Sequence, residues 1–462
     1  MFAPEIYSKR RMKLRDLVKS GIAIFPGNLD QPYNYPGNTY HFRQDSTFSY
    51  FFGLNGPNLF AIIDFDEQKE ILFGDNIGME DIIWMGYLPK IEERAAEVGV
   101  KDTMPLESVV EYVKKALNLG RKIHFLPPYQ GDTLLNLSAL LNIPTPELKN
   151  RSSLELINAV IELRSVKGSE EISEIEKMID VAYDMHTTAM RMARPGVNER
   201  EIAAAMEGIA LSHGNGISFP IILSMNGEIL HNHSHTQVLE KGRLMVADAG
   251  SESDLLYASD ITRTMPVGGK FSDKQKDVFE ILLAANVNTL KNTSPSLLYK
   301  EIHLQSAKII AQGLKDLGLM TGNIDDAVSA GAHALFFPHG LGHMMGMDVH
   351  DLEGLGEDYV GYNDMVKRSE QFGLAYLRFG RKPQPGYVLT NEPGIYFIPA
   401  LIDMWHTEKK FTEFIKYEKL ESYKGFGGIR IEDDILVTEN GCRLLGKPIP
   451  KTVKEIEDVM SS

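Results

Sequence analysis

The stretch from Val246 to Pro266 constrains this chain most. It reads Val-Ala-Asp-Ala-Gly, then a polar connection, then Tyr-Ala-Ser-Asp-Ile-Thr-Arg-Thr-Met-Pro. Leu244, Met245 and Val246 lead into Asp248, and Ile261 and Thr262 follow Asp260, so both carboxylates are set among residues that favour strand. Gly250 and the run from Ser251 to Asp254 supply a turn between them. A hairpin would lay the two strands side by side, with both carboxylates facing one point. A buried carboxylate costs several kcal/mol unless something compensates it. Two close together cannot both stay ionised without a cation. A metal ion meets both conditions, and its other ligands must come from elsewhere in the chain.

Three further places combine metal-ligating residue types with strand or turn context. The first is Pro338-His339-Gly340-Leu341-Gly342-His343, followed by Asp348-Val349-His350-Asp351. The second is Thr390-Asn391-Glu392-Pro393-Gly394, and the third is Gly428-Ile429-Arg430-Ile431-Glu432-Asp433-Asp434. The glycines between His339 and His343 disfavour a regular helix, which argues against two histidines on one helical face. Pro393 biases Glu392 toward extended geometry. Glu432 lies in a strand whose Ile429 and Ile431 point the opposite way. Each piece alone has a plainer reading: a Glu before Pro-Gly is usually a turn, Glu-Asp-Asp a solvated run, a single His a satisfied histidine. Together they offer four carboxylates and one imidazole. Such oxygen-dominated ligation suits Mn²⁺ or another borderline-hard divalent ion better than a structural zinc site. Four carboxylates exceed what one divalent ion requires, so two metals are expected, a pair able to hold both ends of a hydrolytic displacement.

Other chemistries lack their residues. There is no Gly-x-Ser-x-Gly, no Walker glycine loop and no complete Gly-x-Gly-x-x-Gly. Cys442 is the only cysteine, which excludes an intrachain disulfide and a cysteine metal site. A net charge of -15 argues against nucleic acid or an anionic membrane as partner. No apolar run approaches the ~20 residues of a membrane span, and the N-terminal residues lack a signal-peptide core. A cytoplasmic protein is expected.

At 462 residues, two domains are the prior. In the first, spanning 1–165, helices over 4–19, 90–97 and 106–117 alternate with strands at 22–25, 48–52, 59–65, 71–73 and 122–126, and a loop covers 26–38. This is an α/β pattern, and its His41 and His124 read as structural or surface residues. The second, 166–462, turns helical. Asn198 with Glu201 and Ser272 with Gln275 are capping-box patterns that open two helices, and another helix covers 297–318. Strands are expected at 217–223, 243–247, 259–266, 388–390, 395–397 and 428–437. The domain therefore reads as α+β, helices on one largely antiparallel sheet.

Those four motifs, in that order, resemble the dinuclear metallopeptidases with the pita-bread fold, and within them the Xaa-Pro branch, aminopeptidase P and prolidase. Phe42-Arg43-Gln44-Asp45-Ser46 and Phe51-Phe52-Gly53-Leu54 resemble the N-terminal domain of the same enzymes. The resemblance implies an α+β pita-bread domain behind a smaller α/β domain. It implies two divalent metals, Mn²⁺ foremost, with Asp248 chelating one, Asp260 and Glu432 bridging both, and His343 and Glu392 completing the other. Glu392 would also be general base for a hydroxide bridging the metals. His231 matches the histidine beside the scissile nitrogen, and His350 the one that steadies the tetrahedral intermediate. His339 would line the proline pocket, Arg430 would back the ligands, and Trp84 resembles a residue lent by a neighbouring subunit. The implied partners are peptides with proline in second position, handled by a homodimer or homotetramer.

This chain also departs from the pattern. The spacing from Asp248 to Asp260 is one residue longer than in relatives, which implies a longer turn or a bulge. Asn391 stands where many relatives have Val, and residues 398–424 are an insertion like that of larger prolidases. The leading reading is an Xaa-Pro aminopeptidase. A dipeptidase would need a cation at the far end of the pocket, and Arg368, Arg378 and Arg381 lie in the right region. A non-catalytic pita-bread binding protein is the remote alternative.

Overall fold

The structure, a computed structural model, describes all residues from Met1 to Ser462. The chain divides into two compact units: Met1–Arg164 with Leu352–Tyr359, and Ser165–Asp351 with Val360–Ser462.

The first unit is built on a five-stranded mixed sheet. Ile22–Pro26 lies antiparallel to Phe60–Asp64 and parallel to Ile123–His124. Lys69–Phe73 continues the sheet antiparallel and Asp102–Met104 closes it in parallel. Ile22, Ile24, Ile62, Ile71 and Phe73 form a core with Val109, Val113 and Ala116 of helix Ser108–Asn118. Two expectations fail here. Residues 48–52 are not a strand but part of helix Ser46–Phe52, opened by Asp45, whose carboxylate accepts the Phe48 N–H at 2.8 Å. All seven residues are buried, so neither the helical nor the strand period marks them. The helix ends at Gly53, whose φ of +62° and contact with the Tyr7 ring, 2.3 Å from where a Cβ would lie, both require glycine. The loop expected over 26–38 contains an exposed hairpin, Pro32–Tyr35 with Asn38–Thr39. His124 is a structural histidine, buried, with ring nitrogens 2.7 Å from Ser153 Oγ and 3.0 Å from the Ser20 carbonyl.

In the second unit the long helices are Ser169–Met192, Glu199–His213, Asp273–Asn292 and Tyr299–Asp316. Both expected capping boxes form. Glu201 accepts the Asn198 N–H at 3.0 Å, and Gln275 accepts the Ser272 N–H at 2.8 Å. Strand Leu244–Ala249 lies between Ile222–Ser224 and Ile261–Pro266, antiparallel to each. The connection between the two aspartates is a long turn with an unbroken register on either side, Asp248 facing Thr262 and Ala249 facing Ile261.

The single sheet and the single strand over 428–437 are not found. The strands form separate ladders: Val388–Asn391 pairs with Asp433–Val437, and Gly394–Tyr396 pairs with Gly428–Arg430. The break falls at Glu392-Pro393 on one side and Ile431-Glu432 on the other. Proline has no N–H to offer a ladder, so the strands part where the two glutamates sit. No helix is long and apolar enough to cross a membrane.

Candidate active site

The strand geometry puts four carboxylates and an imidazole along one cavity of about 600 Å³. Asp248 is the penultimate residue of a fully buried strand, and Asp260 the residue just before the neighbouring strand. Glu392 and Glu432 come from the two sides of the break in the ladder. His343 follows the turn through Gly340 and Gly342. A Cβ on Gly342 would lie 2.1 Å from the Thr390 carbonyl oxygen, so only glycine lets the loop close on the strand that carries Glu392. Asp260, His343 and Glu432 place one potential ligand atom each within 4.8 Å of one another. His231, His339, His350 and Arg430 line the same cavity. The expected ligands, His231, His339, His350, Arg430 and Arg378 therefore line one cavity, whereas Arg368 and Arg381 do not; Trp84 is 77% exposed on helix Met79–Met85 of the first unit.

The donor chemistry fits a cation. His343 Nδ1 lies 2.9 Å from the Met344 carbonyl and must donate to it. Nε2 faces Asp260 Oδ2 at 3.4 Å and Glu392 Oε1 at 3.6 Å, and whenever the ring is neutral it turns a lone pair toward both carboxylates. Lone pairs facing carboxylates at this range repel unless a positive charge lies among them. Oδ1 of Asp248 and Oδ1 of Asp434 are buried with no hydrogen-bond donor. Burial, and then the charge of Asp248, hold the Asp260 carboxyl well above the usual carboxylate range. Burial and then Asp260 do the same to Glu432. Burial pushes Glu392 up to about 7, against the opposing pull of His343. Such a cluster is electrostatically unsatisfied as it stands and would be satisfied by divalent ions.

The groups behind the carboxylates are hydrogen-bonded in series. Arg430 donates to Asp248 Oδ2 at 2.6 Å, to Tyr396 Oη at 3.0 Å and to Thr262 Oγ1 at 3.1 Å. Thr262 Oγ1 donates a hydrogen bond to Glu432 Oε2 at 2.6 Å. His339 donates through Nδ1 to the Gly340 carbonyl at 2.8 Å, which leaves Nε2 to accept from Tyr396 Oη at 2.9 Å. Burial and then the Arg430 charge push His339 down to about 3, so it is neutral at any ordinary pH. His231 is lowered by burial and then by Arg430. The His350 ring stands 4.2 Å from that of His343, centroid to centroid. The loop carrying both is tied down by Asp351, which is fully buried and paired with Lys167 at 2.8 Å.

Thr262, Tyr396, His233 and Tyr376 belong to this site and were not singled out in the sequence. Thr262 was findable, two residues after Asp260 on the same strand. His233 was findable two residues after His231. Tyr396 stands in the motif after Glu392, but nothing local shows that it spans to His339.

The raised carboxyls give a sign to pH dependence in the metal-free protein. Unfolded carboxyls titrate near pH 4, whereas in the fold Glu392 releases its proton at about 7 and Asp260 and Glu432 also release theirs late. The fold retains protons the unfolded chain has lost, so the stability these groups contribute is complete below about pH 4 and is lost as pH rises through the folded values. Bound divalent ions remove that loss. The rise in melting temperature on adding Mn²⁺ should therefore be larger near pH 7.5 than near pH 5.5. Equal rises at both would contradict the carboxylate cluster as the binding site.

The family described as Metallopeptidase family M24 matches residues 173–439, and that described as Aminopeptidase P, N-terminal domain, matches residues 7–124. Xaa-Pro dipeptidase of Homo sapiens is 31% identical over 439 residues, covering 91% of this chain and 84% of the relative. Among solved structures, aminopeptidase P from Escherichia coli with the inhibitor Pro-Leu superposes with a TM-score of 0.82 at 27% identity, covering 100% of this chain and 98% of the other. Proline aminopeptidase P II from Yersinia pestis superposes with a TM-score of 0.82 at 29% identity, covering both chains completely.

Proposed function

The chain belongs to metallopeptidase family M24, and on that premise we propose that it is an Xaa-Pro aminopeptidase dependent on two divalent ions, with Mn²⁺ the preferred metal. It is a hydrolase with the pita-bread fold and an aminopeptidase P-type N-terminal domain. The observation that carries the specific reading is the convergence of Asp260, His343 and Glu432 on one point, with Asp248 and Glu392 in the same cavity wall.

In this reading Asp248, Asp260, His343, Glu392 and Glu432 hold the ions. When bound, these supply Lewis acidity toward the scissile carbonyl and lower the pKa of water at the site. The remaining steps belong to the side chains. Glu392, which lines the cavity 3.6 Å from His343 Nε2, is the proton acceptor for the attacking water. His350 offers a ring N–H to the carbonyl oxygen as charge develops there. A bond to proline is a tertiary amide whose nitrogen carries no hydrogen and, like any amide nitrogen, must gain a proton to leave. The proton that Glu392 takes from water would go to this nitrogen, with His231, which lines the same cavity, orienting it by a hydrogen bond. His339, held neutral and fixed by Tyr396, presents a ring edge to the pyrrolidine without a charge to solvate.

Of the three arginines considered for a dipeptidase, only Arg378 lines the cavity. Arg381 is engaged with Tyr387 Oη at 3.1 Å, and Arg368 with the Ala375 carbonyl at 3.3 Å. Arg378 favours a second reading, a dipeptidase in which its guanidinium receives the free carboxylate of an Xaa-Pro substrate. The two separate in one tube. Mn²⁺-loaded protein is given an Xaa-Pro dipeptide and an Xaa-Pro-Xaa tripeptide together, and products are followed by mass spectrometry. Faster loss of the tripeptide is expected; cleavage of the dipeptide alone would overturn the aminopeptidase reading in favour of the dipeptidase.

A further inference from the structure

The break in the ladder at the two glutamates leaves backbone groups that the sheet cannot satisfy. Asn391 and Ile431 immediately precede Glu392 and Glu432, and their carbonyls fall at the gap between the two paired stretches. A buried carbonyl must find a donor. Here the donor comes from a helix. Asn286, on Asp273–Asn292 and fully buried, points its Nδ2 at both carbonyls, 3.3 Å from that of Asn391 and 3.4 Å from that of Ile431. One side-chain amide thus spans the two strands next to both glutamates.

Two further contacts fix that amide. Lys451 Nζ lies 2.9 Å from Asn286 Oδ1, and an ammonium can only donate, so Oδ1 must face it and Nδ2 must face the carbonyls. The same ammonium reaches Asp433 Oδ2 at 2.6 Å, while Arg263 donates to Asp433 Oδ1 at 2.7 Å and to the Glu432 carbonyl at 2.6 Å. In return Asn391 donates through its own Nδ2 to the Asn286 carbonyl at 3.0 Å. The Asn391 amide makes this bond although its Oδ1 is buried without a hydrogen-bond donor. A valine would avoid that cost and lose the return bond to the helix.

We propose that Asn286 is a positioning residue for the metal pair: with Lys451 and Asn391 it locks the strands bearing Glu392 and Glu432 at the spacing that lets both carboxylates serve two ions. The inference rests on the two-metal reading above. Neither Asn286 nor Lys451 lines the cavity, so their effect reaches the ions only through the strands they hold. Loss of such outer partners typically lowers metal affinity about 10- to 100-fold.

The test is Mn²⁺ binding to the full chain by equilibrium dialysis, with electron paramagnetic resonance reporting the exchange-coupled pair. Asn286→Leu removes the clamp. Asn286→Asp keeps the volume and the Lys451 contact but cannot donate to the carbonyls. Both are expected to weaken the second Mn²⁺ by about 10- to 100-fold and to lose the coupled signal at subsaturating metal, with recovery when Mn²⁺ is raised. Asn391→Val and Lys451→Met are expected to weaken it less, in the same direction. They decide the matter should both Asn286 variants fail to fold, since Lys451 is only part-buried and Asp433 keeps its Arg263 partner at 2.7 Å when Lys451 is lost. Wild-type protein that binds no coupled pair would overturn the two-metal reading itself. A wild-type pair that persists unchanged in every folded variant would overturn the role of Asn286 alone.

Discussion

Asp260→Asn should abolish turnover while leaving the metal-free protein at least as stable as the wild type. The substitution preserves shape, and the backbone N–H of residue 260 keeps its 3.0 Å bond to Asp434 Oδ2. What it removes is one buried negative charge. Asp260 lies 3.4 Å from the imidazole of His343, and burial and then the charge of Asp248 raise its carboxyl well above the usual carboxylate range, so its ionisation is unfavourable without a cation. With metals, that charge is a ligand to both ions in the proposed arrangement, and its loss should lower kcat/KM by at least about 10³-fold, on the order of 4 kcal/mol of transition-state stabilisation. Without metals, the same charge is a source of repulsion, and deleting it should raise or leave unchanged the melting temperature near pH 7.5. The pair of measurements is kinetic assay and thermal melting of the metal-free protein. A variant that keeps its activity, or whose metal-free form melts well below the wild type, would remove Asp260 from the metal site.

Arg430→Leu should show the converse pattern, damaging the metal-free fold more than the loaded one. The guanidinium and Asp248 are both buried, 2.6 Å apart, with side chains 4% and 10% exposed. Removing one member of such a pair leaves an uncompensated charge and costs about 3–5 kcal/mol. It also deprives Tyr396 and Thr262 of a donor, and through them loosens His339 and Glu432. Bound metal supplies Asp248 with a new positive partner, so the drop in melting temperature should shrink when Mn²⁺ is present. Activity should fall about 10²- to 10³-fold even in the loaded variant, because His339 and Glu432 lose their fixed orientation. Arg430→Lys should recover only part of the loss, since a single ammonium cannot serve three acceptors set in a planar fork. Full activity in the lysine variant, or an equal loss of stability with and without Mn²⁺, would show that the three-way contact is not what Arg430 provides.

The proposed ligands that line the cavity were legible in the sequence for a physical reason: each breaks a local rule. Asp248 and Asp260 interrupt apolar strands, Glu392 precedes a proline, and His343 follows glycines that no helix would carry. The helix starts at Asn198 and Ser272 were legible because a capping box lies within four residues. Helix Ser46–Phe52 was hidden because burial on every side erases periodicity. The division of 428–437 into two strands was hidden because its cause, Pro393, lies on the partner strand some forty positions earlier. The supporting network was invisible for the same reason on a larger scale. Tyr396 reaches His339 across 57 positions, Arg430 reaches Asp248 across 182, and Lys451 reaches Asn286 across 165. Composition and spacing carry no trace of such bonds, which exist only after the strands and helices have met.

Cleavage of two peptides that differ only at the second residue tests the assignment most directly. Xaa-Pro-Xaa and Xaa-Ala-Xaa are offered at equal concentration to protein stripped of metal and to the same protein reloaded with Mn²⁺, and the released first residue is quantified by mass spectrometry. The expected result is release from the proline peptide alone, only after reloading, and none from Asp260→Asn. Release from the alanine peptide at a comparable rate, or from either peptide without metal, would contradict a two-metal site built for the bond to proline.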